Sequence, residues 1–286
     1  MQTMPLRLRH EERISNSPEV LAAASIQPQN SGLVAYAPRV SEDLLAGGPA
    51  LREAFASAPF HIAQRCKMLV SASDTEPPVL RVEHGMAFSS CTLPDGRRAI
   101  TDIFLPTDFI GIEHAVADHA PTEITAAGAL RYRALSASAF RERFIVDPQV
   151  ALRVLAVLTE QSVRRNRHAF ALTRLDARER MADFLVGIYD RLRLAGLAPR
   201  PIFNLPFTQN QIAEHLGMTM VHVSRTCRRL RDERLVITDR QVIIIKDVEG
   251  LRRVAGALAT PGAGENSASG VPRASDGQEA GISSAE

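Results

Sequence analysis

The chain has 286 residues, 45% of them hydrophobic and 23% charged, which at roughly 150 residues per domain points to two domains with cores of their own. Lysine plus arginine number 34 against 32 acidic residues, a net charge of +2 that argues neither for nor against a polyanionic partner. No run reaches the roughly 18 apolar residues of a membrane span, and MQTMPLRLRHEER has no apolar stretch behind its basic start. The three cysteines, Cys66, Cys91 and Cys227, form no C-x-x-C pair. The expectation is a cytoplasmic protein with no membrane partner, no disulfide framework, no metal site and no cofactor.

In chain order, residues 1–55 mix Ser, Asn, Pro and Ala without a sustained period and are expected to form a flexible extension, with at most a turn of helix at VSEDLLAG. Residues 56–146 read as a sensor-like domain of short strands. VLRVEHGMAFSSCTL is extended in character, PDGRR is a turn with Asp95 and Gly96 in its tight part, AITDIFL is closed by Pro106, and EITAAGALRYRALS adds another strand or two. Strands this short, interrupted by Gly and Pro, predict a small antiparallel barrel or jelly roll.

The period changes after Asp147 and Pro148, a helix-start pair. Over 147–172, Val150, Val154, Val157, Leu158 and Gln161 recur at three- and four-residue spacing beside a second row of Leu152, Leu155, Thr159 and Ser162. Such a helix buries two faces, one on its own domain and one open to a partner helix; a central helix in a monomeric core is the other reading. A further helix is predicted from Asp176, with Glu179 at capping-box spacing, to about Leu194. The tail, 257–286, is Gly, Ser, Ala and acid and is expected to be disordered.

Within 173–256, residues 208–246 carry the most specific signal. Thr208 can cap QNQIAEHLG and Thr219 can cap MVHVSRTCRRLRDE, with Ala213, Gly217 and Val223 at intervals of four and six. A small residue lets two helices cross closely, a glycine turns the chain at positive φ, and Val223 with Ile212 and Leu230 fills the angle between them. This is a helix-turn-helix, and LVIT, DR and QVIIIK add a two-stranded wing. The pattern leaves Met220, Val221, His222, Ser224, Arg225 and Arg228 outward on a helix that fits the major groove of double-stranded DNA, where Arg225 can bridge O6 and N7 of a guanine. Thr208, Gln209 and Thr219 at the helix starts and Arg240 at the wing tip suit phosphate oxygens. Arg228, Arg229 and Arg231 also fit a merely solvated helix face. Cys227 is either a redox-sensitive thiol beside DNA or a small apolar packing residue.

A small barrel, a long two-faced helix and a winged helix-turn-helix resemble, over roughly residues 60–255, the CRP/FNR family of bacterial transcription regulators. LPDGRRAITDIFLPTDFIG looks like the family's strand pair and its P-G-D-x-x-G turn, with Thr107 in place of the first glycine. The resemblance implies an α+β chain: a cyclic-nucleotide-binding-like β-roll, a dimerisation helix with Val150, Val154, Val157, Leu158 and Gln161 facing a second copy, and a winged helix that reads a palindromic site as a homodimer, with RNA polymerase as a further partner. Two departures bear on the signal. Ala120 and Pro121 stand where cyclic-AMP-binding members carry Arg-Ser, and residues 1–65 hold no cysteine, unlike the oxygen-sensing members. His84, His114 and His119 are taken as ordinary barrel residues and not haem ligands. In the reading helix Val221 replaces the family's glutamate, so a guanine contact is expected to survive and a cytosine contact to be lost, with Val221 or Met220 touching a thymine methyl instead. The alternative function is an effector-dependent sensor, of a small ligand or haem, acting mainly through protein contacts; no enzyme motif is present.

Charge divides along these boundaries. Residues 147–172 hold 4 cations and 2 anions and residues 173–256 hold 15 and 10, a surplus of 7 that the rest of the chain nearly cancels.

Overall fold

The computed structural model describes residues 49–117 and 120–256; the expected helical turn at VSEDLLAG, the tail 257–286 and His119 lie outside them. Eight strands form the barrel: β1 (Phe60–Ala63), β2 (Met68–Val70), β3 (Val79–His84), β4 (Ala87–Thr92), β5 (Arg98–Phe104), β6 (Phe109–Ile110), β7 (Glu123–Ala126) and β8 (Leu130–Leu135). They pair antiparallel in two four-stranded sheets, β1-β8-β3-β6 and β2-β7-β4-β5, the jelly-roll architecture expected from the strand spacing. Leu80 and Val82 from one sheet meet Ile124 and Ala126 from the other in a core where each is at most 2% exposed. Asp95 and Gly96 form the β4–β5 turn, with Gly96 at φ 84° and the Asp95 carboxylate accepting from the Arg97 amide. Thr107 takes φ 81°, a left-handed conformation that is strained for a β-branched residue and that a glycine accepts freely.

Helices close one side of the barrel. They are α1 (Pro49–Ala54), a 3-10 turn over Ile112–Ala115, α2 (Ala137–Val146) and the long α3 (Pro148–Arg174), which starts where expected, with the Asp147 carboxylate accepting from the Gln149 amide at 2.8 Å. Helix α1 falls inside the span read as a flexible extension. Leu51 and Phe55 are wholly buried with Phe109 and Phe140, so the barrel's packed part begins before residue 55. Helix α2 has no counterpart in the sequence reading because only Ala137 and Phe140 of its ten residues are buried, too few for a visible stripe.

The same cluster corrects the assignment of α3. Val150 and Val154 are 2% and 3% exposed and pack with Leu51, Phe55 and Phe140, while Val157 and Leu158 lie half-buried against them. Gln161 is buried and donates its Nε2 to the Phe109 carbonyl at 2.9 Å. These five side chains were expected to face a second copy; the chain's own barrel and α1 take them up. The row left in solvent is the other one, with Leu152 47% and Leu155 58% exposed and Thr159 and Ser162 continuing the line.

After α3 come α4 (Ala177–Leu194), the short β9 (Ile202–Asn204), α5 (Gln209–Leu216), α6 (Met220–Asp232), the wing strands β10 (Val236–Asp239) and β11 (Val242–Ile245), and α7 (Val248–Val254). The wing has three strands and not two, because β9 pairs with β11. This second body shares one core with the outer face of β4 and β5, in which Phe88, Ile100 and Leu105 join Met181, Leu185 and Leu216.

Candidate nucleic-acid interface

Each helix of the reading unit starts on a hydroxyl. The Thr208 Oγ1 accepts from the Gln211 amide at 3.1 Å and the Gln211 side chain returns the bond to the Thr208 amide at 2.9 Å, a closed capping box. The Thr219 Oγ1 accepts from the His222 amide at 3.3 Å. Between the helices Gly217 holds φ 60°, the left-handed turn its position was expected to supply. Val223 and Leu230 are completely buried and Thr226 nearly so, one stripe at three- and four-residue spacing. Each of the two large side chains is worth about 2 kcal/mol of burial, which fixes the rotation of α6 about its axis.

That rotation decides what faces outward. Met220, Val221, Ser224, Arg225 and Arg228 are all exposed and share one face of α6, with His222 exposed beside them. Gln209 lies exposed at the first position of α5, and Arg240 is exposed in the wing turn at φ 51°. The further arginines divide. Arg229 pairs with Glu233 at 3.1 Å, and Glu233 is also gripped by Arg178 from α4; these guanidinium groups hold its carboxyl below the usual range. Arg229 is therefore a brace for the end of α6, whereas Arg231 stays exposed. Cys227 is half-buried on the core and burial pushes its thiol up, the environment of a packing residue and not of an activated thiolate.

The side of α5 turned away from α6 rests on the barrel. His215 is buried, donates Nδ1–H to the Ile100 carbonyl at 3.1 Å and stacks on His168 of α3, ring centroids 4.1 Å apart. Arg98 on β5 pairs with Glu214 at 2.8 Å, and Arg65 donates to the Pro206 carbonyl at 2.7 Å. Deeper in the joint Arg164 makes a two-pronged bond with Asp102, both contacts 2.8 Å, and Arg191 pairs with Asp108. Burial alone would raise Asp102, but the Arg164 guanidinium overrides it and holds the carboxyl below its ordinary value. None of these docking contacts was anticipated from sequence. Their one trace there is that Glu214 and His215 put polar groups beside the buried Leu216 of α5, on a side the helix-turn-helix does not use.

In the barrel, Ala120 is buried in the core and Pro121 is exposed, so no cation occupies the place of the cyclic-nucleotide Arg-Ser pair. His114 is buried with Nδ1 3.0 Å from the Pro78 carbonyl. Among the described residues no group of three or more His, Cys, Asp or Glu is arranged to hold a metal ion, and no helix is long and apolar enough to cross a membrane.

A family model described as a Crp-like helix-turn-helix domain matches residues 179–254, the whole reading unit with most of α4 and all of α7. The transcriptional activatory protein AadR of Rhodopseudomonas palustris is 33% identical over 193 residues, covering 66% of this chain and 79% of that protein. The chain belongs to the CRP/FNR family. It is a DNA-binding transcription regulator and not an enzyme. The activator FnrL of Cereibacter sphaeroides is similarly related, 28% identical over 197 residues that cover 68% of this CRP/FNR chain and 79% of the relative. Among solved structures, FixK2 from Bradyrhizobium japonicum matches with a TM-score of 0.63 at 25% identity, over 69% of this chain and 96% of that one. A CooA mutant from Carboxydothermus hydrogenoformans shares the fold, with a TM-score of 0.56 at 16% identity over 80% and 98% of the two chains.

Proposed function

We propose that the protein acts in the cytoplasm as a homodimer that reads a two-fold symmetric DNA site, with α6 of each copy in the major groove and RNA polymerase as the complex's further partner. The observation that carries this is the single exposed face of α6, where Met220, Val221, Ser224, Arg225 and Arg228 stand together while Val223 and Leu230 anchor the helix from behind. Arg225 bridges guanine O6 and N7 with two hydrogen bonds; Val221 and Met220 offer thymine methyls an apolar contact; Arg228, Arg240 and the starts of α5 and α6 at Thr208, Gln209 and Thr219 take phosphates. The two copies join along Leu152, Leu155, Thr159 and Ser162, whose spacing of three, four and three gives a coiled-coil seam. The names of the relatives support an activating role.

The test is selection of DNA sites from a random pool by the purified full chain, at 50 and 200 mM salt. A palindrome with a guanine in each half-site, bound roughly a thousandfold more weakly at the higher salt, is expected. Recovery of an asymmetric site, of a half-site with the glutamate-type cytosine preference intact, or of no site at either salt overturns it.

A further inference from the structure

A cavity of about 100 Å³ opens where β5, the second half of α3, α4 and α5 meet. Five arginines line it against two aspartates, Asp102 and Asp183. Asp108 and Glu160 stand behind, on Arg191 and Arg164, and still leave guanidinium groups in the majority. The arginines are unequally engaged. Arg164 is held at 2.8 Å by Asp102, but Arg165, half-exposed at the mouth, reaches the same carboxylate only at 3.9 Å. Arg180 donates Nη1 to the Leu216 carbonyl at 2.8 Å, whereas its Nε is buried with no hydrogen-bond partner in the described chain. A buried donor on a guanidinium is costly to leave unmade, and a surplus of positive charge in a half-dry space favours an anion. Phe184, Ile188 and Ala171 give the wall an apolar part, and Thr101, His168 and His215 also line it.

The second observation is Gly187, in the middle of α4. Its backbone is not in the left-handed region, and a Cβ placed on it would meet nothing within 4 Å. Neither conformation nor packing calls for glycine, and a helix interior disfavours it. What the missing side chain does is leave the cavity wall open.

We propose that this cavity binds a small organic carboxylate, its oxygens taken by Arg180 and Arg165 and its short apolar body lying on Phe184 and Ile188 over Gly187. A guanidinium fork matches a carboxylate in two-pronged geometry, and an apolar wall with a few convergent charges is the usual form of a small-molecule site. A dry cavity of about 150 Å³ holds benzene, so this one, open at Arg165, suits a ligand of similar or smaller size. Because sensor strand, long helix and reading unit all contribute walls, occupancy is linked to how these three parts are held together.

The test is calorimetric titration of the full chain, free of DNA, with isobutyrate and propionate, with their neutral amides, and with inorganic phosphate. At least one carboxylate is expected to bind saturably, its amide and phosphate at least tenfold more weakly, and Gly187→Val, which fills the space, to lose the carboxylate at least tenfold with no fall in thermal midpoint. If that variant does not fold, Gly187→Ala together with Arg180→Gln takes its place with the same expectation. Binding by neither carboxylate, equal binding of amide or phosphate, or a carboxylate affinity unchanged by these substitutions overturns the proposal. Because no DNA enters the measurement, the outcome is independent of how α6 reads its site.

Discussion

Helices α6 and α3 carry the same kind of pattern, apolar residues recurring at threes and fours, but only α6 discloses its buried side in the sequence. In α6 one stripe, Val223 to Leu230, is flanked mainly by polar and charged residues, so a single rotation satisfies the core and every outward residue follows from it. In α3 two stripes run side by side, and either one can go inward. The structure sends Val150 and Val154 against the barrel and leaves Leu152 and Leu155 outside. Periodicity reports that a face is apolar; which of two apolar faces the chain itself covers depends on what elements are nearby to cover it.

The largest expected effect tests that difference between adjacent residues. Val154→Asp places an uncompensated carboxylate in the core and should cost about 4 kcal/mol, read as a collapsed thermal midpoint. Leu155→Asp should leave the stability within about 1 kcal/mol of the parent but convert the proposed dimer to monomer in sedimentation. If the two variants exchange these phenotypes, the face assignment is reversed.

Next in size is an acid effect at the joint that ties α5 to α3. Burial, reinforced by the neighbouring His168, holds the His215 imidazole down to about 4. A depressed histidine stabilises the fold while neutral, so its contribution is complete above about pH 6.5 and is lost as pH falls from there towards 4, amounting to about 3 kcal/mol. Urea unfolding at pH 7, 5.5 and 4 should show this loss. His215→Gln, which keeps a donor for the Ile100 carbonyl, should flatten the profile; an unchanged slope would move the effect to other groups.

On α6, Arg225→Ala should cost about 2 kcal/mol, roughly 30-fold in affinity for the selected site, and erase the guanine preference in competition binding. Arg228→Ala should weaken all sequences alike and lower the salt slope by about one. If Arg228 proves sequence-specific and Arg225 does not, the outward face has been placed in the groove with the wrong rotation. The smallest effect concerns the turn that delivers Asp108 to Arg191. Thr107→Gly relieves a positive φ of 81° and should raise stability by about 1 kcal/mol in chemical unfolding.

Much of the reading unit was legible because its signals are local. Thr208, Gly217 and Thr219 act within four residues of themselves, through caps and a left-handed turn, and the Asp176–Glu179 capping box opens α4 as its spacing foretold. The strands of the barrel were legible through their turns. Helix α7 and the pairing of β9 with β11 were not, the first for its shortness and the second because partners some forty residues apart leave no local mark. The joint was the least legible of all. Arg164 and Asp102 are 62 positions apart and His215 and Ile100 are 115 apart, and nothing in either neighbourhood names the other.

By itself, then, the sequence determined the fold class, the order of barrel, long helix and winged helix-turn-helix, and the outward face of α6, because caps, turns and a single apolar stripe act over a few residues. Tertiary structure alone decided which row of α3 lies inside, that α1 belongs to the core, and that arginines from two helices converge with a helix glycine on one cavity. Each of these depends on which surfaces meet once the chain is packed, and burial is a property of the meeting and not of the residue.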